Sequence, residues 1–142
     1  RTLDEYLAAA RSTFVRLEPL TAYAATQRGA FVVDIRPEFQ RRRDGEVPGA
    51  IIVERNHLEW RLHPDSAARI PEATNADVEW IVLCDAGYAS SLAAAGLQAL
   101  GLRRATDVVG GLQAWRAAGM PLGAPGEASA PRPAREPDSS GK

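Results

Sequence analysis

Residues 79–100 read EWIVLCDAGYASSLAAAGLQAL, which places the only cysteine of the chain between an apolar run and an alanine-rich segment. The run from Glu79 to Cys84 has the length and composition of a buried β-strand. The segment from Ser91 to Leu100 is typical of a helix. Cys84 is therefore predicted to end a strand shortly before a helix begins, and α/β proteins bind ligands at the carboxyl ends of their parallel strands.

The loop between this strand and this helix predicts an anion-binding backbone. It consists of Asp85, Ala86, Gly87, Tyr88, Ala89 and Ser90. Small side chains and one glycine allow the main chain to curve around an anion, and the free N–H groups of a helix start favour negative charge, including a thiolate. A lone cysteine also serves as a small apolar core residue. The loop composition favours the nucleophile over that alternative.

The segments on either side of this stretch alternate between strand and helix patterns. The capping-box pair Thr2 and Glu5 predicts an N-terminal helix that continues to Leu17 before Pro19. Further helices are predicted over 21–27, 38–43, 58–62 and 112–118, and further strands over 31–35, 50–53 and 105–109. Short apolar strands separated by helices indicate an α/β fold, a parallel sheet flanked by helices on both faces, with an extra N-terminal helix.

Composition limits the classes of function. The chain has 142 residues, a net charge of -1 and a charged fraction of 25%, typical of one globular domain with no general attraction to nucleic acid or anionic membranes. One cysteine excludes an intramolecular disulfide, and the two histidines lack metal-ligand spacing. We expect a cytoplasmic protein with no metal, no cofactor, no nucleic-acid partner and no membrane partner; its oligomeric state is not indicated.

Three parts are predicted along the chain. Residues 1–18 form an N-terminal helical extension, residues 19–122 form the domain, and residues 123–142 form a tail. The tail contains Pro, Gly, Ser and charged residues but no aromatic or branched aliphatic residue. Such a segment cannot bury enough apolar surface to offset the entropy of ordering, so we expect it to be disordered.

Four motifs support a family resemblance. They are VDIR at 33–36, GEVPGA at 45–50, the Cys84 loop, and GGLQAW at 110–115. In their order and spacing, over roughly residues 29–122, the chain resembles the rhodanese-like domain family of single-domain sulfurtransferases. The resemblance implies that the Cys84 thiolate takes a sulfane sulfur from a small donor or a protein persulfide. It would hold that sulfur as a persulfide cradled by the loop from Cys84 to Ala89, and pass it to a thiophilic acceptor.

The loop departs from the family pattern in its charge. The family commonly has Arg followed by Ser at its end, where this chain has Ala89 followed by Ser90. Asp85 places a carboxylate next to the thiol, which disfavours a thiolate and repels an anionic donor. Glu46 stands where the family usually has His. We therefore expect weak activity with thiosulfate. Phosphatase chemistry, which related folds perform with an arginine at the end of the loop, is disfavoured.

Other polar residues are predicted to support the site. Asp34 and Arg36 are expected to form a structural pair at a strand end, and a role in holding the loop is the alternative. Arg55 or Arg61 is a candidate to replace the missing loop arginine; the alternative is a solvated helix surface with Trp60 in the core. For the whole protein, the alternatives to a sulfurtransferase are a non-catalytic binding or regulatory module and a redox sensor that needs a partner thiol.

Overall fold

A four-stranded parallel sheet forms the centre of the molecule. The computed structural model describes residues 1–124, and the rest of the predicted tail lies outside the described residues. The strands are β1 (Phe31–Asp34), β2 (Ile51–Ile52), β3 (Trp80–Leu83) and β4 (Thr106–Asp107). Their order is β2-β1-β3-β4, and every neighbouring pair is parallel. The predicted α/β class and parallel sheet are confirmed.

Six helices and one 3-10 turn connect the strands in the described part of the chain. The helices are α1 (Leu3–Arg11), α2 (Pro19–Thr26), α3 (Glu38–Asp44), α4 (Leu58–Leu62), α5 (Ala89–Ala99) and α6 (Gly111–Ala117), and the 3-10 turn is Arg55–His57. Within residues 1–124, none of the helices is long and apolar enough to span a membrane.

Both faces of the sheet are buried against helices. Because successive side chains of a strand point to opposite faces, Val33 and Val82 pack in a cluster with Leu58 and Leu97 of α4 and α5. Val32 and Ile81 pack in the other cluster with α2 and α6. The cores contain Trp80 and Trp115, with relative exposures of 0% and 1%, as the sequence indicates. The helices on both faces hold the strand ends, and therefore the loops, in fixed positions.

The N-terminal helix begins as predicted. The Thr2 hydroxyl accepts a hydrogen bond from the Glu5 N–H at 3.0 Å, and the Glu5 carboxylate accepts one from the Thr2 N–H at 2.8 Å. This is the reciprocal capping box that the sequence pattern predicts. The extra helix before the domain is thus confirmed, and it packs on α5.

The same helix ends at Arg11, so the prediction that it continues to Leu17 was wrong. The hydroxyls of Ser12 and Thr13 donate to the carbonyls one turn earlier, at 2.6 and 2.9 Å, which offers the backbone an alternative to the helix. The chain then lies along β4, where Leu17 accepts a hydrogen bond from the Val109 N–H at 2.8 Å. Pairing with the sheet edge overrides the helical periodicity of residues 12–17.

Three local predictions are also corrected. Helix α2 begins at Pro19 rather than at Thr21, because proline has no N–H to lose at the first helical position. Helix α5 begins at Ala89, two residues before Ser91. Trp60 is 62% exposed and does not pack in the core.

Candidate active site

Parallel strands bring four polar positions to one edge of the sheet. Cys84 follows β3, Arg36 follows β1, Arg55 follows β2, and Asp107 ends β4. A cavity of about 440 Å³ opens over Cys84 at this edge. Its lining residues are Ile35, Arg36, Pro37, Gln40, Arg55, Cys84, Asp85, Ala86, Tyr88 and Ala89. The predicted loop and two of the predicted supporting arginines therefore lie around the thiol.

Backbone N–H groups surround the sulfur of Cys84. Its Sγ accepts hydrogen bonds from the N–H of Gly87 at 3.2 Å and from the N–H of Ser90 at 3.3 Å. Gly87 has a φ of 88°, a left-handed conformation that glycine adopts without strain and that closes the loop. Ser90 lies in the first turn of α5, so one donor comes from the free N-terminal groups of that helix. The arrangement is an N–H cradle around a 7% exposed thiol.

The carbonyl groups of the loop point away from this cradle. The Cys84 carbonyl accepts from the Leu112 N–H at 2.8 Å, and the Asp85 carbonyl accepts from the Gln113 N–H at 3.1 Å. The Gly87 carbonyl accepts from Arg11 Nη2 at 2.7 Å and Arg16 Nη2 at 3.0 Å. Since these three carbonyls have partners outside the loop, their lone pairs are kept away from the sulfur, and the N–H groups of Gly87 and Ser90 face it.

Gly111 allows α6 to start directly against the loop. A Cβ at this position would lie 2.5 Å from the Cys84 carbonyl oxygen and 2.7 Å from the Gly87 nitrogen. The residue also has a φ of 59°. Only glycine fits, and the close approach is what lets the first N–H groups of α6 reach the loop carbonyls. The glycine pair of the fourth sequence motif thus has a direct role in shaping the cradle.

Asp107 anchors the start of α5 to β4. This carboxylate is fully buried and accepts hydrogen bonds from Ser90 Oγ at 2.8 Å and Ser91 Oγ at 2.7 Å. Arg16 balances its charge, with Nε 2.8 Å from Oδ1 and Nη2 3.1 Å from Oδ2. The bidentate pair is strong because both oxygens take charged hydrogen bonds. It fixes Ser90, whose backbone N–H contacts the sulfur.

Sequence reasoning missed Asp107, Ser91, Arg11 and Arg16. A signal existed for Asp107, since a carboxylate in the middle of the strand predicted over 105–109 must find a partner. No comparable signal marks the arginines, because Arg11 and Arg16 contact Gly87 across 76 and 71 residues of sequence. Their role becomes visible only when the N-terminal segment is placed in the fold.

Asp34 and Arg36 form the predicted structural pair. Arg36 Nη2 lies 2.8 Å from Asp34 Oδ2, and both residues are buried. The same Nη2 donates to the Gly45 carbonyl at 2.9 Å, which connects β1 to the turn before β2. Arg36 Nη1 has no hydrogen-bond partner among the described residues, and Arg36 lines the cavity. The pair therefore supports the fold and also adds a positive charge to the cavity wall.

Asp85 does not stand alone beside the thiol. Its Oδ1 accepts from Gln113 Nε2 at 2.8 Å and lies 3.5 Å from Arg43 Nη2. Arg43 also binds Asp44, and this hydrogen bond holds the pKa of the Asp44 carboxyl below its ordinary value and raises the pKa of Arg43. The negative charge of Asp85 is thus partly offset by the positive charge of Arg43.

The two remaining candidate arginines lie in different places. Arg55 lines the cavity, and its Nη1 is 3.1 Å from Glu59 Oε2. Arg61 is not among the lining residues; its Nη1 donates to the Ala68 carbonyl at 3.0 Å, and burial lowers its pKa. Within residues 1–124, no group of three or more His, Cys, Asp or Glu side chains is placed to hold a metal ion.

The chain is thus an α/β domain with a buried cysteine in an N–H cradle at the end of a parallel strand. The sequence model described as the rhodanese-like domain matches residues 18–118. The chain belongs to this family. None of the proteins with curated functions matches it.

Solved structures place the fold among rhodanese homologues. One match is a protein of unknown function from Rhodopseudomonas palustris that is described as a possible tyrosine phosphatase. It is 33% identical, with a TM-score of 0.77, and the match covers 86% of this chain and 94% of that one. The thiosulfate sulfurtransferase of Pseudomonas aeruginosa is 25% identical, with a TM-score of 0.58; the match covers 75% of this chain and 18% of that one. The polysulfide-sulfur transferase of Wolinella succinogenes is 22% identical, with a TM-score of 0.64; the match covers 83% of this chain and 84% of that one. At this identity, the likeness supports the fold alone.

Proposed function

We propose that this protein is a sulfurtransferase that carries a sulfane sulfur on Cys84. The observation that carries the proposal is the pair of backbone N–H groups, from Gly87 and Ser90, directed at the Cys84 sulfur. A persulfide adds one sulfur atom and keeps a negative charge at physiological pH. An N–H cradle at a helix start stabilises such a charge without any side-chain cation.

The reaction proceeds as two displacements at sulfur. The Cys84 thiolate attacks the outer sulfur of a persulfide donor, a new S–S bond forms, and the donor thiolate leaves with the electron pair of the broken S–S bond. An acceptor nucleophile then attacks the outer sulfur of the Cys84 persulfide. That S–S bond breaks, and its electron pair returns to Cys84 as thiolate. No oxidant or reductant is consumed in this cycle, and the nucleophile is regenerated.

The residues around the cavity favour a donor that is not a small dianion. Ala86 and Ala89 are uncharged and exposed, and Asp85 adds a carboxylate. Arg36 and Arg55 are the positive side chains among the lining residues, and each already has a carboxylate partner. We propose that the donor is a protein persulfide or an uncharged low-molecular-weight persulfide, and that thiosulfate is used poorly.

Intact mass spectrometry tests the proposal. Wild type, treated with a low-molecular-weight persulfide and freed of excess donor, is expected to gain the mass of one sulfur atom and to lose it on addition of reductant. Cys84→Ser is the matched control and is expected to gain nothing. A wild type that gains no sulfur from persulfide or thiosulfate would favour the alternative, a non-catalytic binding or regulatory module. Equal gain by Cys84→Ser would contradict the role of Cys84.

Phosphatase activity is tested in the same samples. The related R. palustris protein is described as a possible tyrosine phosphatase. In the present loop, Ala89 and Ser90 occupy the fifth and sixth positions after Cys84, so no loop arginine faces a phosphoryl group. We expect no Cys84-dependent release of nitrophenol from para-nitrophenyl phosphate. Release that disappears in Cys84→Ser would favour phosphoryl transfer over sulfur transfer.

A further inference from the structure

The N-terminal segment, residues 1–17, precedes the region that matches the family and yet contacts the candidate active-site loop. Arg11, the last residue of α1, places Nη2 2.7 Å from the Gly87 carbonyl oxygen. Arg16 places Nη2 3.0 Å from the same oxygen. Two guanidinium groups on one backbone carbonyl make this peptide unit the most strongly charge-assisted contact of the loop.

This peptide unit belongs to Gly87, whose own N–H donates to the Cys84 sulfur at 3.2 Å. The described chain has no cis peptide, and in a trans peptide the C=O and the following N–H point in opposite directions. Holding the Gly87 carbonyl toward the arginines therefore turns the Tyr88 N–H away from them. Rotation of the same peptide would direct an oxygen lone pair at an anionic sulfur. Glycine makes such rotation easy, so something outside the loop must prevent it.

Each arginine is itself held by further contacts. Arg11 Nε donates to Ser91 Oγ at 2.9 Å, and its guanidinium lies over the Tyr88 ring, 5.8 Å from the centroid. Arg16 forms the buried ion pair with Asp107, and its side chain is only 17% exposed. The two side chains therefore have fixed positions behind the loop, and they do not extend freely into solvent.

We propose that Arg11 and Arg16 are positioning residues of the Cys84 site. They hold the Gly87 carbonyl behind the loop, and thereby fix the residue whose N–H donates to the sulfur. They also supply, from behind the loop, positive charge that the loop lacks at Ala89. The inference rests on the proposed function, because the anion that the oriented N–H groups would hold is the Cys84 thiolate or persulfide. It assigns a functional role to the part of the chain that lies outside the family match.

Competing alkylation by an anion and a neutral reagent tests this role. Iodoacetate and iodoacetamide both react with the Cys84 thiolate with loss of iodide, but only iodoacetate carries a negative charge. The ratio of their rates reports the local potential and the N–H orientation, and a change of global stability alone would not move it. We expect Arg11→Gln to lower the iodoacetate-to-iodoacetamide ratio roughly threefold to tenfold, and Arg11→Lys to restore much of it.

A matched control separates position from net charge. Arg28 also donates to a backbone carbonyl, that of Ala24 at 3.2 Å, but it lies on the surface at the end of α2. Arg28→Gln removes the same charge and a similar hydrogen bond, and we expect the ratio to stay at the wild-type value. A drop as large as that of Arg11→Gln would show a nonspecific charge effect and overturn the proposal.

The variants also separate this inference from the proposed function. Arg16→Gln leaves the buried Asp107 without its counter-charge and is expected to lower the melting temperature strongly. Arg11→Gln keeps that ion pair and is therefore the deciding variant. An unchanged ratio in folded Arg11→Gln overturns the positioning role, even if wild type forms a persulfide. A lowered ratio in a protein that accepts no sulfur supports the positioning role and contradicts sulfur transfer instead.

Discussion

The two sides of the loop from Cys84 to Ser90 differ in their chemistry. The front, which faces the cavity, presents the small side chains of Ala86 and Ala89 and the half-buried carboxylate of Asp85. The back, which faces α1, β4 and the start of α6, meets Arg11, Arg16, the buried Asp107 and Gly111. The front side chains carry little positive charge, whereas the back contains several charged hydrogen bonds.

The difference separates two tasks that a single loop must perform. The orientation of the backbone N–H groups depends on the back, because that is where the loop carbonyls find their partners. Direct contact with a donor depends on the front, because among the loop side chains only those of the front line the cavity. A loop that has alanine at its end can therefore still form the N–H cradle around the sulfur.

The largest effect is expected from a substitution whose side chain clashes with the back of the loop. Gly111→Ala puts a Cβ 2.5 Å from the Cys84 carbonyl oxygen at a φ of 59°. We expect a loss of roughly 2–4 kcal/mol in the free energy of unfolding together with loss of persulfide formation. Gly101→Ala is the control; it has a φ of 88° with nothing within 4 Å, so backbone strain alone acts, at about 1 kcal/mol. Equal losses in urea titrations would show that the close approach does not matter.

A charge added to the front should change donor use. Ala89 is exposed, lines the cavity and begins α5, so Ala89→Arg places a guanidinium where the family commonly has one. We expect the initial rate with thiosulfate to rise about tenfold, since one charged contact is worth about 1.4 kcal/mol. Ala99→Arg, at the other end of the same helix, is expected to leave the rate unchanged. No gain from Ala89→Arg in a folded protein would show that front charge does not limit this reaction.

Asp44, which binds the same Arg43 as Asp85, should make the stability of the fold depend on pH in acid. The Arg43 hydrogen bond lowers the pKa of Asp44 in the folded state from 3.8, so the carboxylate stabilises the fold above that value. This contribution is lost as the pH falls below about 3.8, through the lower folded pKa. Asp44→Asn should therefore be less stable than wild type near neutral pH and approach its stability as the pH falls below 3.8. Thermal melts at several pH values, with the exposed Asp77→Asn for comparison, check the convergence.

Removing the front carboxylate should have a smaller effect than adding a guanidinium. Gln113 and Arg43 already contact Asp85, so its charge is partly offset. We expect Asp85→Asn to raise the thiosulfate rate by only about twofold to threefold. A gain larger than that of Ala89→Arg, measured under the same conditions, would show that Asp85 is the main barrier to anionic donors.

The smallest effect is expected at the start of the N-terminal segment. Leu3 is 76% exposed, so Leu3→Ala should change the free energy of unfolding by less than about 0.5 kcal/mol. A loss of more than about 1.5 kcal/mol in denaturant titrations would mean that Leu3 is buried in solution.

Much of the fold follows from short-range signals in the sequence. Four apolar strands and the helices between them could be placed because parallel strands are buried on both faces. The capping box at Thr2 could be predicted because its partners lie three residues apart. The end of α1 could not, because residues 12–17 choose between helix continuation and pairing with β4, and β4 lies far along the chain.

The site divides in the same way. The Cys84 loop and the Asp34–Arg36 pair were predicted, since both are contiguous in sequence. The partners of Asp85 and the network around Asp107 were not, because Arg43, Gln113 and Arg16 reach them only through the tertiary fold. Trp60 shows the opposite error: an aromatic residue expected in the core lies exposed, since a helix as short as α4 buries only Leu58 and Leu62.

The ion pair between Arg16 and Asp107 has a consequence for synthesis on the ribosome. The two residues are 91 positions apart, so at typical elongation speeds Arg16 waits roughly 5–20 s for its partner to be made. Cys84 is synthesised within that interval, before the carboxylate that anchors Ser90 exists. The nascent chain therefore carries its thiol without the finished N–H cradle, and the cysteine acquires its final surroundings only when the last strand joins the sheet.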